Sequence, residues 1–261
     1  MLTLVSLVEG SEILFGIIMA GGRGTRLMPL TAKRPKPMVP VLGRPVIDYV
    51  KDAMVAAGLS QIIVTTGYQG EQLIEHVSTW DISSRVNQED SPMGTAGSVR
   101  LLSDELKETF VVGSGDSVAS FDISDLLESH RKSGAKVTMA LWRVDDPSEF
   151  GIVGLANENQ GEVDSELTEG YISRFKEKPT ADEAFSNLIN AGLYIIEPEV
   201  MELIPPGEKY DFSKQLFPDV LSRGWPMYAK TVNGIWFDVG HPFELHNAQM
   251  ALVAGRDYLP F

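Results

Sequence analysis

The sequence predicts an α/β fold, with a mixed, mostly parallel sheet flanked by helices, on three observations. Short apolar runs alternate with amphipathic stretches from residue 13 to residue 142, the pattern of strands joined by crossover helices. Each apolar run stops at glycine or polar turn residues, as strand ends do. After Trp142 the alternation breaks into shorter, more irregular runs, which predicts a second half that forms a wall or lid over the first.

Residues 13–19 read as a buried strand closed by Ala20-Gly21-Gly22. A loop rich in glycine, proline and basic residues follows. Pro45 suits the first position of a helix whose inner face carries Val46, Ile47, Val50 and Met54, with Gly58 as its stop. Next come a strand at 61–66, a helix at about 69–77, a short strand near Val86, a loop at 89–94 and a helix at 95–102. Residues 109–112 form a strand ending in Gly113-Ser114-Gly115-Asp116, and a helix at 124–133 leads to a strand at 136–142. Beyond Trp142, residues 152–155 and 171–175 read as paired edge strands around a polar loop, 157–170. A strand at 189–196, helices at 198–203 and 212–221, strands at 227–232 and 235–237 and a helix at 242–254 complete the chain.

Composition sets limits on function. The chain has 261 residues, 43% of them hydrophobic, enough for a sizeable core. No run of about 18 apolar residues exists, so no membrane span is expected. Residues 1–11 are mildly apolar but lack a basic start and a small-residue cleavage site, so an N-terminal extension is expected rather than a signal peptide. The absence of cysteine removes disulfides and thiolate metal sites and fits a cytoplasmic protein. A net charge of −14 argues against nucleic acid and anionic membranes as partners. Positive charge is nevertheless concentrated: residues 13–47 contain no Asp or Glu but hold Arg23, Arg26, Lys33, Arg34, Lys36 and Arg44. An acidic chain that gathers its cations in one segment points them at a small anion, although a basic surface loop reads the same way by composition.

The segment Ala20-Gly21-Gly22-Arg23-Gly24-Thr25-Arg26-Leu27 directly follows the first strand, where ligands bind in open α/β sheets. Glycines there let backbone N–H groups approach phosphate oxygens. No Gly-Lys-Ser/Thr follows, and the third glycine of the dinucleotide fingerprint is missing, so neither a Walker loop nor a nicotinamide dehydrogenase is indicated. Lys36 stands between Pro35 and Pro37, which fix the backbone under a charge that must be aimed. Asp116 and Asp238 each follow an apolar strand. Carboxylates so placed suit Mg²⁺ shared with substrate phosphates, or else turns and helix caps.

Gly-Gly-x-Gly-Thr-Arg-Leu, then Pro-Leu-Thr, then Pro-Lys-Pro-Met, over residues 21–45, resembles the signature of the sugar-1-phosphate nucleotidylyltransferases, with weaker matches to residue 248. These include mannose-1-phosphate guanylyltransferases and glucose-1-phosphate thymidylyltransferases. The ten-residue step from Arg26 to Lys36 sets the chain apart from the molybdopterin nucleotidyltransferases, whose lysine lies closer. The resemblance implies a Rossmann-like domain over 12–261, with a nucleotide-binding half at 12–142 and a sugar-binding half at 143–261. It implies a nucleoside triphosphate and a sugar 1-phosphate as partners, with Mg²⁺ as cofactor. Arg26 would hold the β- and γ-phosphates and Lys36 would reach the α-phosphate region. Asp116 and Asp238 would bind the metal, with Asp122 and Asp125 as local alternatives to Asp116 that read better as loop and helix-start residues. Ala20, Gly21, Gly22, Gly24 and Thr25 would line the triphosphate, with Gly94 and Thr95 beneath the base.

On the sugar side the resemblance implies Gly151 against the ring, Glu177 accepting from sugar hydroxyls, Lys178 on the sugar phosphate and Asn190 at a further contact. The residue types also admit a solvated Glu177–Lys178 pair and an Asn190 that satisfies nearby backbone. Glu89 occupies a position where thymidylyl and uridylyl members often carry Gln. A carboxylate accepts from the two adjacent donors of guanine, whereas an amide suits the donor–acceptor edge of uracil. Glu89 therefore tilts the expectation towards GTP with mannose 1-phosphate, with Gln88 as the competing reader. The alternatives are a dTTP- or UTP-dependent glucose-1-phosphate enzyme and a non-catalytic nucleotide-sugar sensor. The apolar end Tyr258-Leu259-Pro260-Phe261 suits a subunit contact or the chain's own core, leaving a homo-oligomer open.

Overall fold

The computed structural model describes residues 15–22, 24–67 and 70–255. The N-terminal extension, Arg23 and residues 258–261 lie outside them. Strand β1, Phe15–Met19, is a five-residue apolar run, buried because the sheet is covered on both faces. Ile17 belongs to one core cluster and Ile18 to another, as alternating side chains require.

After the basic loop, β2 (Pro40–Val41) and β3 (Arg44–Pro45) pair in a small hairpin. Helix α1 then runs over Ile47–Ala56. Pro45 thus lies in a strand instead of starting the helix: its missing N–H is tolerated at a hairpin edge as well as in a first helical turn. The alternation continues through β4 (Gln61–Thr66), α2 (Gly70–Val77), β5 (Ser83–Gln88), α3 (Gly94–Arg100) and β6 (Phe110–Ser114). Strand β7, Ser117–Ser120, is absent from the sequence reading, since Ser-Val-Ala-Ser carries only two apolar residues. Helix α4 covers Ile123–Ser133, and the Asp122 carboxylate accepts from the N–H groups of Ser124 and Asp125, making Asp122 its N-cap.

The second half contributes β8 (Val137–Arg143), β9 (Gly151–Ala156), β10 (Glu169–Glu177), β11 (Leu188–Ile196), β12 (Met227–Thr231) and β13 (Ile235–Asp238). Its helices are α5, Phe217–Ser222, and α6, Pro242–Ala254. Residues 198–203 form a 3₁₀ helix and 212–216 a π-helical turn that runs into α5. Nine strands join in the order β5-β4-β1-β6-β11-β8-β12-β10-β9, with additional pairing of β11 to β9. Neighbours from β5 to β6 are parallel, as are β8 and β12. Strand β11 runs antiparallel to both of its sheet neighbours, and β10 to both of its own. No helix among the described residues is long and apolar enough to cross a membrane.

Strands β7 and β13 form a separate antiparallel ribbon that places Asp116 beside Asp238. Ser117 is in register with Asp238, and the Asp116 carbonyl accepts from the Val239 N–H at 3.0 Å. Trp236 ties the ribbon to the main sheet by donating from Nε1 to the Ala191 carbonyl at 2.8 Å. The Gly115 N–H donates to the Met19 carbonyl at 2.9 Å, which fixes the Asp116 segment to the end of β1.

Candidate active site

Lys36 sits where these elements meet. Its turn, Lys36–Met38, is one of 3₁₀ form, and the residue is only 7% exposed. The ammonium donates to Asp116 Oδ2 at 2.5 Å and to Asp238 Oδ1 at 3.1 Å. Burial opposes the lysine's charge, but the two carboxylates outweigh it and raise its pKa. Burial also pushes Asp116 upward, yet Lys36 and the Ser114 hydroxyl, which donates at 2.6 Å, hold it below the usual carboxylate range. Asp238 moves the other way, because burial and then the charge of Asp116 exceed the attraction of Lys36.

Two cavities meet at this cluster. One of about 370 Å³ is lined by Gly21, Gly22, Thr65, Gly67, Glu89, Gly94, Thr95, Ser98 and Asp116, among others. The other, about 230 Å³, is lined by Asp116, Glu149, Gly151, Glu177, Asn190, Ser213, Trp236 and Asp238, among others. Asp116 and Ser114 face both.

In the larger cavity the structure separates Glu89 from Gln88. Glu89 lines it, and its Oε2 accepts from the Met93 N–H at 2.9 Å. Burial raises its pKa, and the Met93 bond only partly offsets this. Gln88 points instead towards Gly70, whose added Cβ would lie 3.2 Å from the Gln88 amide carbon. The other first-loop residues are structural neighbours of the cavity: Ala20 is buried and its N–H donates to Thr65. Gly24 caps the 3₁₀ turn that Thr25 opens. Thr95 Oγ1 donates to Asp211 at 3.1 Å and accepts from the Phe212 N–H at 2.9 Å. Lys209 and Asp211, absent from the sequence-derived candidates, line the same cavity; they lie in a loop about 190 residues after Gly21, with no motif to mark them.

In the smaller cavity, Glu177 is raised by burial first and then by the charge of Asp211. A Cβ on Gly151 would come within 2.7 Å of the Phe175 ring and 2.8 Å of Glu177 Oε2, so a larger residue there would displace both side chains. Asn190 lines the cavity but also accepts from the Gly192 N–H at 2.8 Å and donates to the Tyr194 hydroxyl at 2.9 Å. It thus serves the backbone while its amide stays at the cavity wall. Lys178 makes an ion pair with Glu149 at 3.1 Å, and Arg26 lies 3.8 Å from the same carboxylate. Glu149 was not singled out from the sequence, since a lone acid in a polar loop gives no signal.

Parallel strands ending at a glycine turn thus meet a buried lysine held between two aspartates from distant segments. The Nucleotidyl transferase family model matches residues 15–255, and the chain belongs to that family. It is 36% identical over 234 residues to the mannose-1-phosphate guanyltransferase of Saccharomyces cerevisiae, covering 87% of this chain and 61% of that one. It is 31% identical over 241 residues to a UTP–glucose-1-phosphate uridylyltransferase of Synechocystis, covering 86% and 59%. The chain therefore spans about three-fifths of the length of these relatives. Among solved structures, a UDP-glucose pyrophosphorylase from Acinetobacter baumanii superposes with a TM-score of 0.79 at 23% identity, over 92% of this chain and 93% of that one. A UDP-glucose pyrophosphorylase complexed with UDP-glucose gives 0.79 at 20%, over 93% and 99%. Both show the same fold.

Proposed function

We propose that the chain transfers a nucleoside monophosphate from a nucleoside triphosphate to a hexose 1-phosphate, releasing pyrophosphate, with GTP and mannose 1-phosphate as the preferred pair. The observation that carries this reading is the Lys36 ammonium gripping Asp116 and Asp238 where two cavities adjoin. The cavity beside Gly21, Gly22 and Glu89 takes the nucleotide, and the one beside Glu177 and Asn190 takes the sugar. Residues 12–142 form the nucleotide half and 143–261 the sugar half. Similarity to mannose-1-phosphate guanyltransferases and the carboxylate at Glu89 support the guanine and mannose preference.

A sugar-phosphate oxygen attacks the α-phosphorus; that O–P bond forms as the bond to the β-phosphate oxygen breaks, and pyrophosphate carries off the charge. Arg26 stabilises the leaving pyrophosphate, and Lys36 and Lys178 draw the two anions together. Asp116 and Asp238 present two hard carboxylates side by side, a donor type that suits Mg²⁺, although both now bond the Lys36 ammonium; the described residues include no group of three or more acidic, histidine or cysteine side chains that could hold a metal alone. Substrate phosphates are the expected remaining ligands of such a site. Asp116 and Asp238 would hold the ion, which when bound offsets charge on the transferring phosphoryl group.

The test is pyrophosphate release from each of GTP, UTP, dTTP, ATP and CTP paired with mannose 1-phosphate and glucose 1-phosphate. Release greatest with GTP and mannose 1-phosphate supports the whole reading. Preference for another base refutes the assignment of Glu89, preference for glucose 1-phosphate refutes the mannose assignment, and silence over a widened sugar-phosphate panel favours a nucleotide-sugar sensor.

A further inference from the structure

Glu149 forms ion pairs with cations from both halves of the chain. It sits in the loop between β8 and β9, and its Oε2 lies 3.1 Å from Lys178 Nζ and 3.8 Å from Arg26 Nη1. The loop is fixed close to Lys178, whose N–H donates to the Phe150 carbonyl at 2.9 Å. Arg26 belongs to the glycine-rich loop after β1, and Lys178 directly follows β10. Glu149 faces the sugar cavity, and with Arg26 it also faces a neighbouring cavity of about 650 Å³ that Asp238 lines as well. All three side chains are more than half exposed, so an incoming anion can reach either cation.

Two cations brought to one point need a counter-anion. With substrates bound, phosphates supply it; without them, Glu149 does. We infer that Glu149 is a positioning residue that acts as an internal counter-anion, taking in the free protein the place that a bound phosphate takes in the complex. It competes with every phosphate that binds there, which weakens retention of the leaving pyrophosphate. This inference rests on the roles given above to Arg26 and Lys178.

The sign of the effect separates this role from a structural one, since loss of a structural contact would weaken binding. Calorimetric titration of the full chain with inorganic pyrophosphate, in the presence of Mg²⁺, provides the direct reading. Glu149→Gln should tighten pyrophosphate binding about three- to tenfold, the scale of two exposed ion pairs. Glu149→Asp, which keeps the charge, should stay near the wild type, and Arg26→Ala in the Glu149→Gln background should cancel the gain. In turnover, Glu149→Gln should lower KM for both substrates while kcat falls through slower product release. Unchanged or weaker pyrophosphate binding by Glu149→Gln, with wild-type binding intact, overturns the inference alone. No pyrophosphate binding by the wild type overturns the proposed site and this inference with it.

Discussion

Lys36 and Lys178 carry the same charge towards neighbouring parts of the site, but the fold holds them in opposite ways. Lys36 is buried, aimed by a proline-flanked turn and bonded to two aspartates that the β7–β13 ribbon brings together. Lys178 is half exposed and paired with a carboxylate that is itself exposed. A buried charge is fixed by the backbone and is costly to unpair; an exposed one is held weakly and can be handed to a ligand. On the proposed reading, the nucleotide side would thus be built in advance around a rigid cluster, whereas the sugar side would keep a cation, Lys178, that a substrate phosphate can claim.

The comparison breaks most visibly at Lys36. Lys36→Ala leaves Asp116 and Asp238 facing each other without their ammonium, and turnover should fall about a thousandfold. Chemical denaturation should show a loss of about 2 kcal/mol or more, below the value for a fully enclosed pair because both aspartates keep some exposure. Added Mg²⁺ should restore part of that stability in the variant, which thermal melts with and without the ion would reveal. A variant with wild-type turnover would remove Lys36 from the centre of the account.

The next largest effect tests the ribbon that joins the aspartates. Gly234 has a φ of +126°, and a Cβ there would lie 2.0 Å from the Ser120 carbonyl oxygen. Gly234→Ala should cost about 2–3 kcal/mol through strain, and kcat should drop roughly tenfold as Asp238 shifts, on the scale of a small misplacement of reacting groups. Melting curves and steady-state rates measured on one preparation would show whether the two losses travel together.

Glu177 sharpens the sugar side. Burial, then Asp211, raises its pKa, so it loses its charge at a higher pH than an ordinary glutamate. The ionised form is the better acceptor for sugar hydroxyls. KM for the sugar phosphate should therefore rise as pH falls through the raised value, by several-fold, and Glu177→Gln should flatten this dependence. An identical pH profile in the variant would place the titrating group elsewhere. The smallest change expected is at Glu89: Glu89→Gln should move the ratio of kcat/KM for GTP over UTP by about tenfold towards UTP, with little change in kcat, if the base edge is read there.

The two halves also differ in how much the sequence disclosed. From β1 to β8, apolar runs separated by helices carried a strong periodic signal, and β4 was delimited to the residue. Strand β7 was invisible because its pairing with β13 joins residues far apart in the chain, and propensity does not see such partners. The same distance hid Lys209 and Asp211 from the nucleotide cavity and Glu149 from its two cations. Asp116 and Asp238 could be nominated from strand ends, but only the ribbon shows that they share one lysine. The first-loop residues form one motif in the sequence, but the structure divides them: Gly21 and Gly22 line the cavity wall, whereas Gly24 and Thr25 belong to the adjoining turn and Ala20 is buried beside Thr65.

The most direct test of the central claim is phosphorus NMR of the protein mixed with Mg²⁺, GTP and mannose 1-phosphate. The account predicts that the phosphodiester-anhydride signals of GDP-mannose and the signal of pyrophosphate grow in equal amounts, and that omitting either substrate abolishes both. Release of inorganic phosphate in place of pyrophosphate, or pyrophosphate formed without any sugar nucleotide, would contradict direct transfer to a sugar 1-phosphate at this site.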